Sequence, residues 1–203
     1  MLNVKDEKVE GSEIAVYYAE GDIVQDPKAA TMFGNNNYIA SRKVCKDLED
    51  LMNDDDVKAV VVRINSGGGD AYASEQMWHQ MSELRKVKPV VVSMGDYAAS
   101  GAYYMSAPAS WIVAQPNTLT GSIGIFAVIP DLSGLVTTKL GVRFDEVKTN
   151  RNSTFGNLMA RPFNAEEKAM LQASVNRGYS LFRQRVADGR RLPVESVEKI
   201  AQG

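Results

Sequence analysis

VVVSMGDYAASGAYYMSA, residues 90–107, is the stretch around which the chain is organised. The β-branched run Val90–Val92 predicts a buried strand that ends at Met94-Gly95. A short loop is expected next, and Ser100-Gly101-Ala102 then opens a helix. A buried strand that feeds a tight turn and a helix exposes a hydroxyl at the turn. The unpaired N–H groups of the helix start favour an oxyanion there. Ser100 taken alone has a plainer reading as a helix cap.

Upstream, Lys88-Pro89 stops a helix expected over 71–86. That helix follows Asn65-Ser66-Gly67-Gly68-Gly69-Asp70, the end of a strand predicted over Val57–Ile64. Ile39, Val44, Leu48, Leu51 and Met52 keep helical spacing over 38–53, and Asp54-Asp55-Asp56 ends that helix as an acidic loop. Asp26 to Asn37 reads as a polar loop. Ile14–Tyr18 reads as a strand that turns at Gly21-Asp22 into Ile23-Val24, and residues 1–12 as a solvated lead-in.

Downstream, Trp111–Ala114 predicts a short strand, 133–140 a helix and Val142–Lys148 another strand. Residues 150–161 are polar and irregular. Asn164 and Glu167 have capping-box spacing before a helix that runs to about Gly189, and a last helix starts after Pro193. Strands alternate with helices, so the class is α/β with parallel pairing. Residues 13–203 are expected to form one domain. The uncapped ending suggests a fragment of a longer chain.

The 203 residues carry a formal net charge of −2, which argues against nucleic-acid or anionic-membrane partners. No apolar run reaches the roughly 18 residues of a membrane span. Cys45 and His79 each occur once, and no spacing supports a metal site, so neither metal nor cofactor is expected.

Glycines at a strand end let backbone N–H groups approach a ligand closely, and such a nest can hold a phosphate or an oxyanion. No Gly-Lys-Ser/Thr follows, so a P-loop is excluded, and GGGDA departs from GxGxxG. A structural turn stays open for the run. A serine nucleophile needs a base. His79 falls mid-helix, and a Ser-Lys dyad needs a desolvated lysine that these observations do not identify.

INSGGGDAYASE, VVVSMGDYAASGAYY and NTLTGSIGIF, in that order, resemble the signal peptide peptidases of the protease IV type, the SppA family. The resemblance runs from about Ile14 to Gly203 and is strongest to the carboxy-terminal half of the long two-repeat form. It implies a fold of the Clp-protease and crotonase type, with stacked ββα units. It implies a nucleophile at Ser100, an oxyanion hole from the backbone of Gly68 and Gly69, and a lysine-contacting hydroxyl at Ser122. For Ser122, a turn hydroxyl bonded to backbone is the alternative. Short family members carry the lysine about fifty residues after the serine, where Arg151 stands here. Arginine cannot serve as a base near neutrality. Lys148 is the possible base if the chain is self-sufficient; otherwise the lysine comes from an absent amino-terminal repeat.

The resemblance further implies cleaved signal peptides or other short apolar peptides as substrates. It implies a ring-like homo-oligomer and an envelope location through an anchor outside this chain. Tyr97, Tyr103, Met105, Ile125 and Phe126 are candidates for an apolar lining, with core packing as the alternative for each. Two other readings remain. A crotonase-like acyl-CoA enzyme would use carboxylates such as Asp70 or Asp96, and a scaffold repeat would use neither.

Overall fold

The computed structural model describes residues 11–26 and 37–201. They divide into two units, residues 1–124 with 182–203, and residues 125–181. The expected lead-in and most of the loop expected over 26–37 lie outside the described residues.

The first unit is built on a parallel sheet. β1 (Glu13–Glu20), β4 (Val57–Ser66), β5 (Val90–Ala99) and β6 (Trp111–Val113) lie in that order, and β7 (Leu119–Gly121) pairs with the far end of β5. Parallel neighbours need crossovers, and helices supply them. α1 (Ser41–Asn53) lies between β1 and β4 in the chain, and α2 (Ala71–Val87) between β4 and β5. Period-2 alternation turns Val60, Val62 and Ile64 of β4, with Val90, Val92 and Met94 of β5, to one buried face. Val44 and Leu48 of α1 and Met77, Met81 and Leu84 of α2 join them in one core. Each such side chain contributes about 1.5–3 kcal/mol by burial. α3 (Gly101–Ser106) follows β5 directly, and the end of the long helix α4 (Ala165–Arg190) and α5 (Val194–Ala201) complete the unit.

The second unit holds an irregular stretch, a π-helical turn over Gly134–Lys139, a run of turns and the first part of α4. The capping box forms as expected. Glu167 N–H donates to Asn164 Oδ1 and Asn164 N–H to Glu167 Oε2, each at 2.8 Å. Arg161 adds two parallel bonds to the same carboxylate, both 2.8 Å, and holds the buried Glu167 down to a pKa of about 2.

Four local expectations are corrected. The strand does not stop at Gly95 but continues to Ala99. Asn65 lies against Gly95, where a Cβ would stand 3.1 Å from its Cγ, and its Oδ1 accepts the Tyr97 N–H. Residues 38–40 are a strand, β3 (Tyr38–Ala40), paired with β2 (Asp22–Val24), so helix α1 starts only at Ser41. A short apolar run fits either period, and strand pairing decided it. The helix expected over 133–140 is the single π-helical turn. Residues 142–148 form no strand, because no ladder partner meets them among the described residues, and Val147 is 91% exposed.

Candidate active site

Ser100 sits between β5 and α3 with φ 53° and ψ −120°. A non-glycine residue there costs on the order of 1–3 kcal/mol and persists only where its surroundings fix it. Two backbone bonds do so. Ser100 N–H donates to Gly121 O at 2.9 Å, and Ser100 O accepts Tyr104 N–H at 2.8 Å. The hydroxyl makes no capping bond, which sets the plainer reading of Ser100 aside. It is left available on a half-buried residue.

The glycine run meets this turn. A Cβ on Gly68 would lie 2.7 Å from Gly101 N and 2.8 Å from Ser100 Cβ. Gly68 has φ 102° and Gly69 φ 151°, so glycine is required on both counts. The backbone partners separate their roles. Gly68 N–H already donates to Ser66 Oγ at 3.0 Å. Gly68 O accepts Ile23 N–H, and Asp70 N–H donates to Ile23 O, both at 2.9 Å. A trans peptide points its C=O and N–H in opposite directions. With Gly68 O facing Ile23 on β2, Gly69 N–H faces away from β2 and has no acceptor among the described residues. Gly69 N is also 3.4 Å from where a Gly101 Cβ would stand. Gly101 N–H is the first of α3, where no helical carbonyl precedes it. The donors available beside Ser100 are therefore Gly69 and Gly101, whereas Gly68 makes the close approach.

β7 brings Ser122 to the same corner. Ala99 pairs with Gly121, so Ser100 and Ser122 each follow one end of a paired register. Ser122 also has a left-handed backbone, φ 48°, and its exposed hydroxyl shows no backbone bond among the described residues.

The possible base, Lys148, lies in the second unit with Arg151. Lys148 Nζ pairs with Glu146 at 2.9 Å and its side chain is 42% exposed, whereas a lysine base needs the neutral amine that burial favours. Arg151 is 82% exposed and pairs with Glu166 at 3.0 Å. In the first unit His79 is exposed on α2. Asp70 caps α2 through Ala73 N–H at 2.7 Å and accepts from Gln25, and Asp96 is exposed. Of the residues named for an apolar lining, Met105 is fully buried in the core and Tyr103 packs against that core, so Met105 is removed from the candidates. Tyr97 is 52% exposed on β5 and Phe126 85% exposed, while Ile125 is half-buried, near Gly178 within the second unit.

Gly101 N–H is one of the helix-start donors that the sequence offered to an oxyanion. Two further groups escaped the sequence reading. Ser66 and Ile23 carried no signal, because their roles rest on backbone directions.

Residues 82–203 match the model of peptidase family S49. Protease 4 of Salmonella typhi is 40% identical over 95% of this chain and 30% of its own length. The chloroplastic serine protease SPPA of Arabidopsis thaliana is 35% identical over 94% of the chain and 28% of its own. The chain thus spans about 30% of the length of such relatives. A solved ClpP1 mutant of Listeria monocytogenes superposes with a TM-score of 0.52 over 91% of this chain and 77% of that one. At 13% identity this likeness shows a Clp-protease-like fold alone.

Proposed function

The chain belongs to peptidase family S49, and from that membership we propose that it supplies the nucleophile and oxyanion hole of a serine endopeptidase. The single observation that carries the reading is the free Gly69 N–H, turned away from Ile23 and set beside Gly101 and the strained Ser100. Ser100 Oγ attacks the scissile carbonyl while a lysine takes its proton. The N–H groups of Gly69 and Gly101 hold the oxyanion, and water then hydrolyses the acyl-enzyme. Ser122 orients the lysine.

The lysine belongs to a part of the polypeptide outside these residues. Two features support this: Lys148 is ion-paired and exposed, and Arg151 stands where the family carries its lysine. The substrates on this reading are cleaved signal peptides and other short apolar peptides. The working protein is a ring-like homo-oligomer in the cell envelope, anchored elsewhere in the polypeptide. Among the described residues no helix is long and apolar enough to cross a membrane.

The test is hydrolysis of a fluorogenic apolar peptide ester by the full-length protein, with Ser100→Ala beside it. Serine-dependent turnover is expected. Equal turnover by both would leave a scaffold role.

A further inference from the structure

We infer that Ser66 is a positioning residue whose hydroxyl, acting through Gly68, aims the Gly69 N–H at the reacting carbonyl; this rests on the peptidase reading above.

The chain passes through two left-handed glycines in succession, Gly68 and Gly69. Glycine has the largest backbone freedom of any residue, so such a run does not hold its own orientation. Each peptide plane needs an external tether. The Gly68–Gly69 plane has one on its carbonyl side, the 2.9 Å bond from Ile23 N–H, and Asp70 N–H ties the next plane to Ile23 O. The preceding plane is held through its N–H, which donates to Ser66 Oγ at 3.0 Å. Ser66 is 3% exposed, and the bond is buried. No water competes for it, and a lost acceptor would leave a buried N–H unmatched. Ser66 is the last residue of β4, and its main chain is in register with Ala98 of β5, two residues before the nucleophile. The sheet that carries Ser100 thus also carries the side chain that fixes the hole.

Ser66 touches neither substrate nor the oxyanion on this account. Its removal frees Gly68 N–H and leaves the Gly68–Gly69 plane held by the Ile23 bonds alone, so its aim loosens. The penalty falls on the transition state, where the charge on the oxygen is largest, and spares ground-state binding.

The experiment uses the full-length protein with a fluorogenic apolar peptide and a peptidyl boronic acid, whose adduct on Ser100 places a tetrahedral oxygen in the hole. Ser66→Ala is expected to lower kcat about 10- to 100-fold with KM within about threefold, and to weaken boronate inhibition by a similar factor. Ser66→Thr, which keeps the hydroxyl, is expected to stay within about threefold of the parent. Should the alanine variant not fold, Ser66→Cys, with its weak sulfur acceptor, takes its place with the same expectation. The inference is overturned if kcat is unchanged, if the loss falls on KM, or if the threonine variant loses as much as alanine. Failure of the peptidase reading looks different, since Ser100→Ala would then retain the parent turnover.

Discussion

Gly68 lies so close to Ser100 that a Cβ on the glycine would stand 2.8 Å from the serine Cβ. The glycine run and the Ser100 turn, far apart in sequence, are thus one packed unit. Gly68→Ala must push Ser100 and Gly101 away or abandon its left-handed backbone. It is expected to cost about 1–3 kcal/mol of stability and at least about 100-fold in kcat. Urea unfolding and steady-state kinetics on the same preparation check both.

Gly101 presents a softer version of this problem. A Cβ there would fall 2.4 Å from Ser74 Oγ, on the first turn of α2. Gly101→Ala is expected to lower kcat about tenfold or more by displacing α3. Adding Ser74→Ala removes the clashing atom, so the double variant should recover part of the loss. A double-mutant cycle on kcat gives the coupling, and strict additivity would refute the steric account.

The strands, the glycine run and the serine were legible because each is carried by local pattern: β-branched alternation in Val57–Ile64, a backbone-permissive run at Gly67–Gly69, a small-residue helix start at Gly101. Which glycine N–H of the run is left without an acceptor was not. The resemblance named Gly68 and Gly69 together, and the Ser66 and Ile23 bonds leave the Gly69 N–H without an acceptor among the described residues while Gly68 N–H has one. Peptide-plane direction is a tertiary property, set by which strand lies alongside. The misread stretch 142–148 failed similarly, because a strand exists only where a partner does.

α3 is braced at Tyr104. Its hydroxyl donates to Glu75 on α2, Arg185 of α4 binds the same carboxylate at 2.5 Å, and the guanidinium stacks 3.6 Å over Trp78. The Phe182 ring lies 4.6 Å from that of Tyr104. Arg185→Met leaves the partly buried Glu75 without its counter-ion, held by the Tyr104 hydroxyl alone, and removes the stacking. A loss of about 1–3 kcal/mol is expected after allowance for partial exposure, read by thermal or urea unfolding. Arg185→Lys should recover little, since it lacks the planar fork.

Glu167 makes the second unit sensitive to acid. Its folded pKa, about 2, lies below the ordinary 4.5, through the Arg161 pair first and the Asn164 N–H second. A depressed carboxylate adds stability above its unfolded pKa, and that stability is lost as pH falls through the interval toward the folded value. The start of α4 should therefore loosen between about pH 4.5 and 2. Amide exchange of residues 165–170 across that range checks it. Glu167→Gln should show weaker protection at neutral pH and a flatter acid response.

The location of the base makes the sharpest prediction about activity. Within these 203 residues an arginine bound to Glu166 stands at the aligned position, and the possible base three positions before it, Lys148, is bound to Glu146. Neither is a desolvated amine, and loss of a base commonly costs several orders of magnitude in an acyl-transfer enzyme. The chain alone should therefore hydrolyse a fluorogenic apolar peptide ester no faster than its Ser100→Ala form, and Lys148→Ala should change nothing. The full-length protein should restore serine-dependent turnover, with a rise in kcat/KM across the pKa of a lysine outside this chain. Serine-dependent turnover by the chain alone, abolished by Lys148→Ala, would instead move the base to Lys148 and require the Glu146 pair to open during catalysis. The pH profile separates the two, because a Glu146→Gln substitution should shift it only in the second case.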